Sequence, residues 1–364
     1  MSRHQSFPLP RDGQAYCDFP VTRSEVWLAV KIAMVLHCSC DFSVNTGFMP
    51  LMATQEHVII VNPFHPETLE RLDSTYQTHH IWKLELPEQE QLLTSLDGQC
   101  RVAASASWNC DPVIYRLKSL KLIAAFGVGV DGIDFETTRN LNIRVTNTPG
   151  VLDDGVADLA MALILATMRN LIKANNFSRD GLWKDGPFPF GTSMAGKTLG
   201  IAGLGRIGSA IALRAEPFKV NIAYHNRRLK HVPYTFCESL EDLAEISDIL
   251  VCVLPGGAET DNLINATVLK KLGPSGIFIN VGRGNSVDDE ALIEALNSGA
   301  IQAAGLDVYK NEPQIPDAYK ILDNVILLPH IGSATEETRR AMGNLVFDNI
   351  RAFFEHDTLV SEVV

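Results

Sequence analysis

Residues 198–217 read Thr198-Leu199-Gly200-Ile201-Ala202-Gly203-Leu204-Gly205-Arg206-Ile207-Gly208-Ser209-Ala210-Ile211-Ala212-Leu213-Arg214-Ala215-Glu216-Pro217. An apolar run ends in a glycine turn. Ala210, Ile211, Leu213 and Ala215 then recur at helical spacing until Pro217 stops the helix. This is G-x-G-x-x-G in the strand–turn–helix context that dinucleotide binding requires. Gly203 allows the tight turn, Gly205 lets the backbone approach a pyrophosphate, and Gly208 lets helix and strand pack closely. The helix start offers unpaired N–H groups and a positive dipole end to phosphate. Gly203, Leu204, Gly205, Arg206, Ile207 and Gly208 are therefore the first candidate cofactor contacts.

The surrounding chain has 364 residues, 46% of them hydrophobic and 20% charged, which suits two globular domains with sizeable cores. A net charge of −12 argues against nucleic acid or an anionic membrane as general partner. No stretch is long and apolar enough to span a bilayer. Cys17, Cys38, Cys40, Cys100, Cys110, Cys237 and Cys252 are odd in number and mostly scattered, which points to reduced thiols and a cytoplasmic location. His37-Cys38-Ser39-Cys40 fits no common zinc spacing and has no second half, so no metal is expected.

Residues 1–55 show no alternation of elements and receive no chemistry. From 57 to 149 strands (58–61, 101–104, 122–126, 143–146) alternate with helices opened at Pro66 and at Asp111-Pro112. That order predicts a small parallel sheet with helices on both faces. Gly127-Val128-Gly129-Val130-Asp131-Gly132 repeats the glycine spacing, but the polar residues after it make a poor helix. It reads either as a plain strand-ending turn or as an anion nest whose N–H groups hold a substrate carboxylate. The longest helical pattern, 153 to about 175, has almost no polar face. It predicts a helix buried on all sides, joining two domains and packing against a second subunit in a homodimer.

From 200 to 329 the alternation resumes, with strands at 220–224, 249–254, 276–281, 303–308 and 325–328. Helices are expected at 239–246, 266–272 and 289–296, and a final one begins near Thr335. This is a second doubly wound parallel sheet. The expected organisation is an N-terminal extension (1–55), a substrate domain (57–153 plus 335–364) and a dinucleotide-binding domain (154–334).

Ligands of open α/β sheets bind outside the carboxyl ends of the strands. Beyond the glycine turn, those ends deliver Asn226-Arg227-Arg228, Leu254-Pro255, Val281-Gly282-Arg283, Glu312 through Tyr309, and Pro329-His330-Ile331-Gly332. Each of Arg283, Glu312 and His330 has an ordinary reading alone, as surface, turn and capping residue. Together at one sheet edge they form a catalytic set. Arginine grips a carboxylate bidentately. Histidine passes a proton near neutral pH, and a carboxylate on its far nitrogen fixes its tautomer.

From about His57 onward the chain resembles the D-isomer-specific 2-hydroxyacid dehydrogenases, in particular the glyoxylate/hydroxypyruvate reductase branch. The resemblance rests on Gly127-Val128-Gly129-Val130-Asp131, Thr146-Asn147-Thr148-Pro149-Gly150-Val151, the turn at Gly203 to Gly208, and Asn280-Val281-Gly282-Arg283-Gly284. It continues through Gly305-Leu306-Asp307-Val308-Tyr309, Asn311-Glu312-Pro313 and Leu328-Pro329-His330-Ile331-Gly332-Ser333. It implies an α/β fold of two doubly wound parallel-sheet domains, a Rossmann cofactor domain and a smaller flavodoxin-like substrate domain. It implies that Arg283 orients the substrate carboxylate and keto oxygen, that His330 is the general acid with Glu312 as partner, and that Asp307 lines the nicotinamide site. It also implies that the backbone of Val128 and Gly129 binds the substrate carboxylate, which favours the nest reading of that turn.

The expected activity is reduction of a small 2-ketoacid, such as glyoxylate or hydroxypyruvate, to the D-2-hydroxyacid. Alternatives are a dehydrogenase of phosphoglycerate or of 2-ketogluconate/gluconate, or a dinucleotide-sensing scaffold with the same triad. Formate dehydrogenases are disfavoured, because their resemblance implies glutamine where Glu312 stands. NADPH is the expected cofactor. An NAD-binding fold ends its second strand in an acid that holds the ribose 2′-hydroxyl, whereas no acid lies between Glu216 and Glu238 and Arg227 and Arg228 do.

Overall fold

The computed structural model describes residues 55–363, and the extension with its His37-Cys38-Ser39-Cys40 run lies outside them. The first sheet is built from β1 (His57–Ile60), β2 (Gln77–His80), β3 (Cys100–Ala106), β4 (Leu122–Phe126) and β5 (Arg144–Thr146). Helix α1 (Pro66–Thr75) joins β1 to β2, α2 (Leu86–Leu96) joins β2 to β3, and α3 (Phe135–Asn140) joins β4 to β5. β1 and β4 are buried almost throughout, which is why they read as unbroken apolar runs rather than alternating ones. β2, Gln-Thr-His-His, carries no such signal, and neither it nor α2 is foreseen above. Pro112–Arg116 forms a 3₁₀ helix and not the expected α-helix. Leu117 and Leu120 directly after it are fully buried, so the chain turns inward before a longer helix can form.

Helix α4 (Asp153–Met168) is followed, after a bend of 60°, by α5 (Leu171–Arg179). The single helix expected over 153–175 therefore breaks, at Asn170 in the left-handed region (φ 51°). The longest described helix is instead the final one. Nor is α4 buried all round, since Asp154, Asp158 and Ala162 are exposed. Val156, Ala157, Ala160, Leu163 and Ile164 pack in one continuous core with Val58, Val102 and Ala124 of the first sheet and Ile201, Val251 and Ile279 of the second.

The second sheet comprises β6 (Thr198–Ala202), β7 (Asn221–His225), β8 (Thr235–Phe236), β9 (Ile249–Cys252), β10 (Ile277–Asn280), β11 (Ala303–Leu306) and β12 (Val325–Leu327). Its strand order is β12-β11-β10-β9-β6-β7-β8, all parallel. The order reverses at β6, the strand that carries the glycine turn, and such a switch point is where doubly wound sheets bind ligands. Helix α6 (Arg206–Ala215) follows that turn, with α7 (Leu240–Ile246), α8 (Ala266–Leu272), α9 (Asp289–Ser298) and the short α10 (Asp317–Lys320) in the later connections. Ser239 caps α7, Asn265 caps α8 and Asp288 caps α9 through their side-chain oxygens.

The chain then returns to the first sheet. Helix α11 (Glu336–His356) packs Met342, Val346, Phe347 and Ile350 into the same core as β1, β3 and β4. A last strand, β13 (Glu362–Val363), pairs antiparallel with β5. The first sheet thus has the order β13-β5-β4-β3-β1-β2.

Candidate active site

The glycine turn delivers what the sequence requires of it. Gly203 has φ +100°, and a Cβ there would press on the Val253 carbonyl at 2.9 Å. Helix α6 starts at Arg206 with no side-chain cap, so its first N–H groups are open to an incoming anion. Gly203, Gly205, Arg206, Ile207 and Gly208 line a cleft of about 570 Å³. Across it lie Val128 and Gly129, with Leu254, Pro255, Val281, Gly282, Arg283, Asp307, His330 and Gly332 completing the wall. Fixed phosphate-facing donors beside an apolar cleft fit a dinucleotide.

Four cofactor candidates stand elsewhere, and Glu312 lies behind His330 rather than in the cleft wall. Leu204 is fully buried, and its N–H donates to Asn226 Oδ1 at 2.8 Å. Both are therefore supports of the turn and do not line the cleft. Arg227 and Arg228 stand exposed at the end of β7, and Arg227 pairs with Glu259 at 3.0 Å.

Arg283 is presented by β10. Asn280, nearly fully buried, accepts the Gly282 N–H and donates to the Arg283 carbonyl, both at 3.0 Å. The guanidinium donates through Nε to the two Asp131 oxygens at 3.1 and 3.3 Å and through Nη1 to the Gly282 carbonyl at 2.9 Å. That leaves Nη2, which lies so close to Gly129 that a Cβ there would sit 1.9 Å from it. The free edge of the guanidinium thus faces the Val128–Gly129 backbone.

His330 is held by two carboxylates with different tasks. Glu312 Oε2 accepts from Nδ1 at 2.6 Å, while its Oε1 accepts the Tyr309 N–H at 2.9 Å. Nδ1 therefore carries a proton, and Nε2 is left for chemistry. Burial would raise the Glu312 carboxyl, but the hydrogen bonds from His330 and Tyr309 bring it below its usual value. Asp307, in contrast, is almost fully buried; burial raises its pKa although the Ile331 and Gly332 N–H groups oppose the shift. Those two hydrogen bonds, both 2.8 Å, fix the backbone beside His330. His330 itself has φ +53°, a conformation that costs a non-glycine residue about 1–3 kcal/mol and clusters at functional sites. Tyr309 Oη donates to the Leu328 carbonyl at 2.9 Å, tying the two loops.

Asp131 and Trp108 are the site residues that sequence reasoning missed. Asp131 stands in a quoted motif without a role, and nothing in its spacing signals the pair with Arg283. Trp108 follows β3, its ring centroid 6.1 Å from that of His330, and a lone tryptophan after a strand carries no functional signal. Among the described residues no cluster of three or more metal-ligating side chains is present.

Residues 161–332 match the family described as D-isomer specific 2-hydroxyacid dehydrogenase, NAD binding domain. A glyoxylate/hydroxypyruvate reductase A of Arabidopsis thaliana is 41% identical over 310 residues, spanning 84% of this chain and 98% of the relative. The chain belongs to the D-isomer-specific 2-hydroxyacid dehydrogenases. It shares 36% identity with a 2-ketogluconate reductase of Gluconobacter oxydans, over 86% of this chain and 100% of that one. Among solved structures, an NADPH-dependent glyoxylate/hydroxypyruvate reductase of Sinorhizobium meliloti, in complex with NADP and malonate, superposes with TM-score 0.78 at 39% identity. The match covers 85% of this chain and 97% of that one. As a member of this dehydrogenase family the chain is an NAD-type dinucleotide-binding oxidoreductase with two parallel-sheet α/β domains.

Proposed function

We propose that this chain reduces small 2-ketoacids, with glyoxylate and hydroxypyruvate as the first candidates, to D-2-hydroxyacids with NADPH. The observation that carries the reading is the His330–Glu312 contact of 2.6 Å at a cleft shared with Arg283 and the glycine turn. A nicotinamide dinucleotide held in the cleft by the turn at Gly203, Gly205 and Arg206 would supply the hydride for the keto carbon. His330 in its imidazolium form keeps Nδ1–H on Glu312 and gives the Nε2 proton to the keto oxygen. Glu312 stabilises the charged ring before transfer. The Arg283 guanidinium faces the oxygen on which negative charge develops, and stabilising that charge lowers the barrier. The Val128 and Gly129 backbone and Arg283 Nη2 hold the substrate carboxylate.

NADPH is favoured over NADH because Arg227 and Arg228 end β7 where an acid would repel a 2′-phosphate. Residues 57–153 and 335–364 form the substrate domain and 154–334 the cofactor domain. The protein works as a cytoplasmic homodimer without nucleic-acid or membrane partners. An apolar surface supports the dimer: Leu171, Ile172, Leu182, Trp183 and Phe190, on and after α5, are all exposed, more than a monomer's scattered surface residues would present. Loss of NADPH absorbance on addition of glyoxylate or hydroxypyruvate, with chiral analysis of the glycerate formed from hydroxypyruvate, tests the reading. Absence of turnover with every 2-ketoacid tried overturns it.

A further inference from the structure

Beside the catalytic cleft lies a second cavity of about 350 Å³, which the reaction above leaves without an occupant. Trp108 lines both spaces. Phe126, at the end of β4 directly before the Gly127-Val128-Gly129 turn, forms another wall, with Phe64, His65 and Arg339 around it. The cavity is thus apolar on several sides and cationic at one point.

Arg339 is unusual in three ways. It sits in the opening turn of α11, which begins at Glu336, where the helix dipole disfavours a cation. It is half-buried, and burial lowers its pKa. It has no ion pair among the described residues; its guanidinium instead lies 5.6 Å from the centre of the Phe126 ring. The adjacent Arg340, in contrast, binds Glu67 at 2.6 Å. His65 adds a second unspent group. Its Nε2 donates to the exposed Glu336 at 2.8 Å, while its Nδ1 is buried without a partner. A partly desolvated, uncompensated cation is costly unless an anion visits it.

We propose that this cavity is the subsite for the substituent on C3 of the 2-ketoacid, and that Arg339 grips an anionic group at the end of that substituent. The assignment rests on the proposed reduction. The keto carbon has three substituents. Its oxygen faces His330 and Arg283, its carboxylate faces Val128 and Gly129, and the remaining one has the space behind Trp108. Aromatic walls suit a short methylene chain, and a guanidinium suits a terminal carboxylate bidentately. The preferred class is a dicarboxylic 2-ketoacid of four or five carbons.

The test compares kcat/KM with NADPH for 2-oxoglutarate, for 2-oxopentanoate (the same chain without the terminal carboxylate) and for glyoxylate, which has no C3. Wild type, Arg339→Met and Arg339→Lys are measured, and NADPH binding reports that each variant is folded. Wild type is expected to favour 2-oxoglutarate over 2-oxopentanoate. Arg339→Met should reduce that ratio by about 10–100-fold, the worth of a hydrogen-bonded charge, and Arg339→Lys should keep part of it. A wild type that prefers 2-oxopentanoate overturns the subsite, as does a ratio unmoved in Arg339→Met. Should Arg339→Met fail to fold, the wild-type ratio and Arg339→Lys decide. Reduction of glyoxylate without preference for the dicarboxylate refutes the subsite alone. Turnover of none of the three refutes the reductase reading together with it.

Discussion

Arg283 and Asp131 form an ion pair across the cleft, Nε to Oδ1 at 3.1 Å, joining the loop after β4 in the first sheet to the end of β10 in the second. The pair occupies the Nε edge of the guanidinium and turns Nη2 toward Gly129. Asp131 therefore aims Arg283 without occupying the edge that faces Gly129. Misplacement of about 1 Å in such a group can cost on the order of 10²-fold in rate. Asp131→Ala should lower kcat/KM for glyoxylate by about that factor and leave the NADPH dissociation constant within about twofold. Asp131→Asn, which retains an acceptor, should recover part of the loss. Full activity in Asp131→Ala would show that Arg283 is aimed by other contacts.

His330→Asn should reduce kcat by roughly 10²–10⁴, the usual worth of a positioned general acid, with NADPH binding preserved. A variant with near wild-type kcat removes His330 from proton transfer.

Glu312→Gln tests the same unit by stability. The Glu312 carboxyl lies below its ordinary value of 4.5 in the folded protein, so folding favours its charged form. Its contribution is therefore complete above the unfolded-state pKa and is lost as pH falls through the lowered folded value. Wild type should exceed Glu312→Gln in denaturant stability at neutral pH, and the gap should close as the solution is taken from pH 4.5 downward. A gap that stays constant through this acid range would mean that the pair contributes no pH-dependent stability.

Replacing Arg227 and Arg228 together by Ser should raise KM for NADPH strongly and leave KM for NADH nearly unchanged. Both guanidinium groups are exposed, so the fold should tolerate the change. A wild type that uses both cofactors equally well would show that the arginines do not select the phosphate.

Trp183 is 73% exposed in the apolar segment after α5. Light scattering at micromolar concentration should give a dimer for wild type and a shift toward monomer for Trp183→Glu. A monomeric wild type would sink the assembly.

What was legible in the sequence followed from burial and from backbone demands. Strands such as β4 and β9 are buried completely and must be apolar throughout, and a tight turn against phosphate needs glycine. The glycine turn and the strands of the second sheet could therefore be placed to within a residue or two, except the two-residue edge strand β8 (Thr235–Phe236), which is too short and too exposed to leave a pattern. β2 has only half-buried or exposed positions, so no apolar pattern marked it. The break at Asn170 depends on a left-handed residue inside an otherwise helical run, and asparagine there is compatible with either outcome. In the site, Arg283, Glu312 and His330 were visible because each ends a strand connection. Asp131 and Arg339 were not, since their significance lies in what they face, or fail to face, across the fold.

The pairing of β13 with β5 also bears on how the protein comes into being. Arg144 and Glu362, which hydrogen-bond at 2.8 Å, are 218 residues apart in the chain. The second sheet draws all of its strands from one contiguous stretch, 198–327, and can close while later residues are still being synthesised. The first sheet cannot: its edge at β5 stays open, with unpaired backbone groups available for wrong partners, until residues 362 and 363 have been made. Removing the pairing of residues 362 and 363 with β5 would therefore disturb the sheet that is begun first and finished last, and leave the second sheet intact.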